Sequence, residues 1–279
     1  MGYYVRVESG VHVYVEDLNP GGSRAVLFLH GWPGSHRLFE YQFNQLPKLG
    51  IRCIGMDFRG FGLSDRPWGG YDYDRLSDDV YAVVSTLGLK DFTLAGHSTG
   101  GGVAVRYMAR HRGYGVGRLA LLAAAAPSLI RRPYFPYGLP RQAVLDIIEG
   151  TYADRPAMLK KFGDMIFHNY VTPGISDWIF QLGMQASSWG TAAIANSWLD
   201  EEGLFEDLRS IRVPTLILHG LDDRVCLYPL AAAQKAAIPQ AKLVPLEACG
   251  HFLFYDQMEK FNRELTSFLE EETPQKENS

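Results

Sequence analysis

The sequence predicts an α/β fold: a mostly parallel central sheet flanked by helices, with a helical insertion after the sixth strand. Three observations predict it. From residue 25 onward, short and fully apolar runs alternate with longer stretches of helical periodicity, as strands buried on both faces require. Between about residues 128 and 206 the helical periodicity continues without strands. One apolar run also ends in Gly96-His97-Ser98-Thr99-Gly100, a pattern that suits a strand turning sharply into a helix.

The elements follow in order. Residues 3–8 and 11–16 alternate apolar and polar around Ser9-Gly10, which reads as an antiparallel hairpin. After Pro20-Gly21-Gly22 come the apolar runs Ala25–Leu29, Ile51–Met56, Phe92–Ala95, Leu119–Ala124, Thr215–Leu218 and Lys242–Leu246. Pro245 suits an edge strand, where a missing N–H costs little. Leu76, Val80, Val83, Val84 and Leu87 line one helical face; Phe254, Met258, Phe261, Leu265 and Phe268 line another. Pro127, Pro133, Pro136 and Pro140 open the insertion. Helical spacing then recurs at Val144/Ile147/Ile148, Met158/Phe162/Met165/Ile166 and Ile175/Trp178/Ile179/Leu182. The expected organisation is a core of residues 1–127 and 207–279 with a helical cap over 128–206. Its aromatics, Trp178, Phe180, Trp189 and Trp198, mostly build the cap's own core, and some form an apolar lid over Ser98. Glu270–Ser279 reads as a polar, frayed tail.

Bulk properties exclude several classes. The chain has 279 residues, 47% of them hydrophobic, ample for a large core. Net charge is −4 and no Lys/Arg cluster tracks a face, so nucleic acid is not an expected partner. No apolar stretch is long enough to span a bilayer, and no signal peptide is visible, so neither a membrane partner nor export is expected. Cys53, Cys226 and Cys249 fit no zinc spacing and are expected reduced and buried in a cytoplasmic protein, with no metal. The absence of a G-x-G-x-x-G after the first parallel strand and of a Walker lysine argues against nucleotide chemistry, and no cofactor is expected. A homo-oligomer is left open.

The chemistry concentrates at the ends of the apolar runs. Ser98 sits where a strained turn would lift its hydroxyl off the sheet, and Gly96 and Gly100 leave room for that turn. A serine needs a base and a group that orients the base, and on this architecture the acid and then the histidine follow the serine in the chain. After Thr215–Leu218, Asp222 and Asp223 compete as the acid; Asp223 is preferred, and Asp222 reads as a solvated loop carboxylate. After Leu246, His251 is offered as the base at the same sheet edge. The backbone N–H groups of Thr99 and Trp32 are the expected oxyanion donors. His30 is expected to hold the loop after its strand. His97 and His219 flank the site, while His12, His36, His111 and His168 default to surface or packing roles.

At this point the chain resembles the serine hydrolases of the α/β-hydrolase superfamily, and within it the cofactor-free haloperoxidase/arylesterase-like esterase group. The carrying segments are His30-Gly31-Trp32-Pro33-Gly34-Ser35, Met56 through Asp65, Gly96 through Gly102 with Ala109-Arg110-His111, His219-Gly220-Leu221-Asp222-Asp223, and Gly250-His251. The resemblance implies the α/β-hydrolase fold, and it again selects Asp223, four residues after the histidine of the His-Gly step. It makes Asp57 and Arg59 parts of a structural loop. Where the group commonly has Ala-Pro-His, this chain has Ala248-Cys249-Gly250-His251, which points toward general esterases as much as haloperoxidase-like members. The reading is a carboxylic ester hydrolase for small to medium apolar esters. A lactonase, a C–C bond hydrolase or a peroxide-using side activity would share the triad. Epoxide hydrolases and haloalkane dehalogenases need a carboxylate where this chain has Ser98. A ligand receptor on the same fold is the alternative from another class.

Overall fold

The computed structural model describes residues 1–271; residues 272–279, most of the polar tail, lie outside the described residues. Eight strands form one sheet: β1 (Gly2–Glu8), β2 (Val11–Leu18), β3 (Arg24–Leu29), β4 (Ile51–Met56), β5 (Phe92–His97), β6 (Val116–Leu122), β7 (Thr215–Gly220) and β8 (Lys242–Leu246). Their order is β1-β2-β4-β3-β5-β6-β7-β8. The hairpin pairs antiparallel, β2 runs antiparallel to β4, and every later pair is parallel. Strands β3 to β7 are buried at nearly every position, which is why they read as continuous apolar runs. Pro245 lies on β8, an edge strand, as its missing N–H requires.

Helices flank the sheet: α1 (Glu40–Phe43), α2 (Tyr73–Thr86), α3 (Thr99–Arg110), α4 (Arg141–Ala153), α5 (Arg155–Ile166), α6 (Pro173–Gln185), α7 (Ser188–Asp200), α8 (Leu204–Ser210), α9 (Pro229–Ala237), α10 (Leu253–Asp256) and α11 (Met258–Glu270). Their starts are written in the chain. Asp72, Asp154, Thr172 and Ser187 each accept a backbone N–H at the mouth of α2, α5, α6 and α7. The apolar face of α2 buries Leu76, Val80, Val83 and Val84 as its periodicity predicts. The face expected over 254–268 is divided: Phe254 belongs to α10, the chain kinks at Gln257, and Phe261, Leu265 and Phe268 are buried by α11. The helices α4 to α8 lie between β6 and β7. Among the described residues, no helix is long and apolar enough to cross a membrane.

The topology positions the site. The chain passes from β3 outward to β4, then crosses back to place β5 on the other side of β3. The loops leaving β3 and β5 therefore part at their C-terminal ends, where open parallel sheets bind ligands. Register aligns Leu29 with Gly96, Gly96 with Leu121, and Leu122 with Leu218. Loops carrying Trp32, Ser98, Asp223 and His251 consequently leave one edge.

Candidate active site

Ser98 links β5 to α3 with φ 54° and ψ −122°, a conformation L-residues rarely adopt. Hydrogen bonds hold it there. Its N–H donates to the Leu122 carbonyl at 3.0 Å, and its carbonyl accepts from Ala125 at 2.8 Å and Gly101 at 2.9 Å. The glycines are needed for close approach. A Cβ on Gly96 would meet the Gly100 carbonyl, and one on Gly100 would meet the Leu29 carbonyl. The Ser98 side chain makes no capping bond to α3, and its Oγ lies 4.0 Å from Cys226 Sγ. Cys53, Cys226 and Cys249 are all buried and unpaired.

His251 stands in the turn after β8, tied down by neighbours. Gly250 N–H donates to Asp256 Oδ2 at 2.8 Å, and Phe252 N–H donates to the Ile166 carbonyl at 3.0 Å. The Nδ1–H of His251 donates to Asp223 Oδ2 at 2.8 Å. The other carboxylate oxygen, Oδ1, accepts the N–H groups of Val225 at 2.8 Å and Cys226 at 2.9 Å. Burial alone would raise the Asp223 pKa, but the His251 imidazole and hydrogen bonds from His219 and His251 hold it well below the usual carboxylate range. Among the described residues, His251 Nε2 is buried with no hydrogen-bond partner, Ser98 Oγ included. An imidazole held this way presents a free lone pair that can take a proton. Asp222 is exposed and lies 3.5 Å from His168. The geometry thus brings Asp223, not Asp222, to His251.

Further histidines surround the pair. His97 Nε2–H donates to the His251 carbonyl at 3.0 Å, and the two rings sit 4.7 Å apart. Burial first, and then the neighbouring His251, push the His97 pKa well below its ordinary value. His30 holds its loop as expected: Nδ1–H donates to the Gly31 carbonyl and Nε2 accepts the Phe58 N–H, both at 3.0 Å. Burial lowers its pKa to about 4. Asp57 accepts the backbone N–H and Nδ1–H of His36, and Arg59 forks onto Asp79, so both serve the loop after β4.

These neutral histidines set a pH dependence. The unfolded chain binds protons on His30 and His97 below about pH 6.5, while the folded chain does not. Stability therefore falls as pH drops below that value, and for His30 the loss reaches roughly 3 kcal/mol by its folded pKa of about 4. Urea denaturation at pH 7.5 and pH 5 is expected to show a lower unfolding free energy at pH 5; an equal or higher one contradicts the assignment.

The loop after β3 faces the inserted helices. Trp32 Nε1–H donates to the Thr191 carbonyl at 2.9 Å, and its ring packs edge-on against Phe162 and Trp198. Among the described residues, the backbone N–H groups of Trp32 and Thr99 donate to no protein acceptor. A cavity of 330 Å³ opens beside Trp32 between α5 and α6, lined by Leu159, Phe162, Ile179, Phe180, Leu182 and Phe252 with Lys160 and Asp177 among its polar groups; Ser98, Thr99 and His251 are not part of its lining. Of the insertion's aromatics, Phe180 lines this cavity and Trp198 covers Trp32, whereas Trp178 packs on Tyr41 and Trp189 on Trp68. Two features escaped the sequence reading. His219 Nε2 lies 3.4 Å from Asp223 Oδ2, and Cys226 neighbours the Ser98 hydroxyl. The only signal for either was proximity in the chain to Asp223.

A family model described as alpha/beta hydrolase fold matches residues 24–257. AB hydrolase superfamily protein YisY of Bacillus subtilis (strain 168) is 48% identical, with 96% of this chain and 99% of that protein covered. Non-heme chloroperoxidase CPO-A1 of Kitasatospora aureofaciens is 34% identical, covering 93% and 96%. Among solved structures, the esterase EaEST from Exiguobacterium antarcticum superposes with a TM-score of 0.94 at 40% identity, covering 97% of this chain and 100% of that one.

Proposed function

The chain belongs to the α/β-hydrolase fold family, and from that premise we propose that it is a serine carboxylic ester hydrolase acting on small to medium apolar esters. The observation that carries this reading is the Asp223–His251 contact, which leaves Nε2 buried and unpartnered at the sheet edge where Ser98 is held in its strained turn. Similarity to the Exiguobacterium esterase supports the ester class.

In this mechanism Ser98 Oγ attacks the ester carbonyl while His251 Nε2 takes its proton. Asp223 keeps the Nδ1–H in place and stabilises the imidazolium. The backbone N–H groups of Trp32 and Thr99 hold the oxyanion, each worth roughly 2.7–4 kcal/mol of transition-state stabilisation. His251 returns the proton to the leaving alcohol, then deprotonates the water that releases the acid and restores Ser98. The inserted helices, residues 128–206, act as a cap whose cavity receives the apolar part of the substrate. At 330 Å³ it falls at the small end of the roughly 300–1,000 Å³ usual for ligand sites.

A series of p-nitrophenyl esters from acetate to decanoate tests the reading. Saturable turnover is expected, with the best kcat/KM at short to medium acyl chains and a fall by decanoate. Negligible turnover by folded protein would sink the ester reading in favour of lactones, C–C substrates or a receptor role. Similarity to the chloroperoxidase favours a second reading, in which hydrogen peroxide replaces water on the acyl-enzyme and a peracid leaves. Peracid formation from acetate and peroxide, lost with Ser98→Ala, is its readout.

A further inference from the structure

A second histidine meets the Asp223 carboxylate. His219 lies near the end of β7, which is paired on both sides by β6 and β8, and its side chain is fully enclosed. Its Nε2 lies 2.5 Å from the Cys226 carbonyl and 3.4 Å from Asp223 Oδ2. A carbonyl can only accept, so Nε2 carries the hydrogen, with a short leg to Cys226 and a longer one to the acid. Asp223 Oδ1 is meanwhile saturated by the N–H groups of Val225 and Cys226, which closes residues 223–226 into a tight turn. One ring on a rigid strand therefore grips both ends of the turn that carries the acid. The same turn sets Cys226 Sγ 4.0 Å from the Ser98 hydroxyl.

We propose that His219 is a positioning residue for the triad: its Nε2–H fixes the 223–226 turn so that Asp223 Oδ2 meets His251 Nδ1 and Nε2 stays free. This rests on the serine-hydrolase reading above. His219 touches no reacting atom; it acts through Asp223. A shift of the carboxylate by more than about 0.5 Å, or a rotation beyond about 20°, would misdirect His251, because reacting groups must be held close to the productive geometry.

The experiment compares wild type, His219→Leu and His219→Gln, with melting temperatures checking that each is folded. Leucine fills the space without a donor, whereas glutamine puts an amide N–H where Nε2 stood. The readouts are kcat and KM for p-nitrophenyl butyrate, and the rate at which an alkyl fluorophosphonate labels Ser98. The labelling rate reports nucleophile activation whatever the natural ester is. For His219→Leu, kcat and the labelling rate are expected to fall roughly 10- to 100-fold, the weight of one hydrogen bond to a charged group, with KM nearly unchanged. His219→Gln is expected to recover most of both. A folded His219→Leu that labels as fast as wild type, or a His219→Gln no better than His219→Leu, overturns the proposal alone. A wild type that neither turns over esters nor labels at Ser98 overturns the hydrolase reading and this proposal with it.

Discussion

Replacing Ser98 by alanine is expected to cut ester turnover on the order of a million-fold while leaving the fold intact, the loss typical of removing the nucleophile of a triad. The side chain makes no capping bond, and among the described residues the hydrogen-bond neighbour of its hydroxyl is the Cys226 thiol at 4.0 Å, so no strong structural contact disappears with it. The backbone bonds that hold the elbow come from Leu122, Gly101 and Ala125 and are unaffected. Kinetics with p-nitrophenyl butyrate, together with a thermal melt, check both halves. Unfolding, or activity within tenfold of wild type, would remove Ser98 from the role assigned to it.

Asp223→Asn carries the next largest effect, about ten-thousand-fold in kcat. The direction follows from the hydrogen bonds. Oδ1 accepts two backbone N–H groups, from Val225 and Cys226, so an asparagine there must turn its carbonyl toward them. Its amide N–H₂ then faces His251 Nδ1, which becomes an acceptor, and the ring's hydrogen moves to Nε2. An imidazole in that tautomer cannot take the Ser98 proton, although the pair still holds together and the protein still folds. Nitrogen NMR of the His251 ring would report the tautomer directly. Asp222→Asn is the control: it is exposed and pairs with no triad member, so it should leave kcat close to wild type.

The features legible in the sequence were those imposed by backbone sterics. A Cβ at residue 96 or 100 collides with a neighbouring carbonyl, so the glycines around Ser98 record the elbow without any partner in view. Pro245 marked an edge for the same kind of reason. Features set by packing were harder to read. The strand expected over Leu119–Ala124 is Val116–Leu122; Ala123 turns to φ 45° after a last bond from its N–H to the Leu218 carbonyl of β7, yet the apolar run continues because Ala124 seats against Gly101 of α3. Helix α7 showed no stripe because it is buried around much of its circumference, at Thr191, Ala192, Ile194, Ala195 and Trp198. In the site, the order of Ser98, Asp223 and His251 could be read along the chain. The grip of His219 on the acid could not, since it depends on where a four-residue turn folds back on its own strand.

Trapping the intermediate would establish whether Ser98 is the nucleophile of an acyl-enzyme mechanism. Wild type mixed rapidly with excess p-nitrophenyl butyrate, quenched in acid and mapped by mass spectrometry should carry a butyryl group on the peptide containing Ser98. The Ser98→Ala protein should carry none. Butyryl on another residue, or steady turnover by Ser98→Ala with no acylated peptide, would show that Ser98 is not the nucleophile.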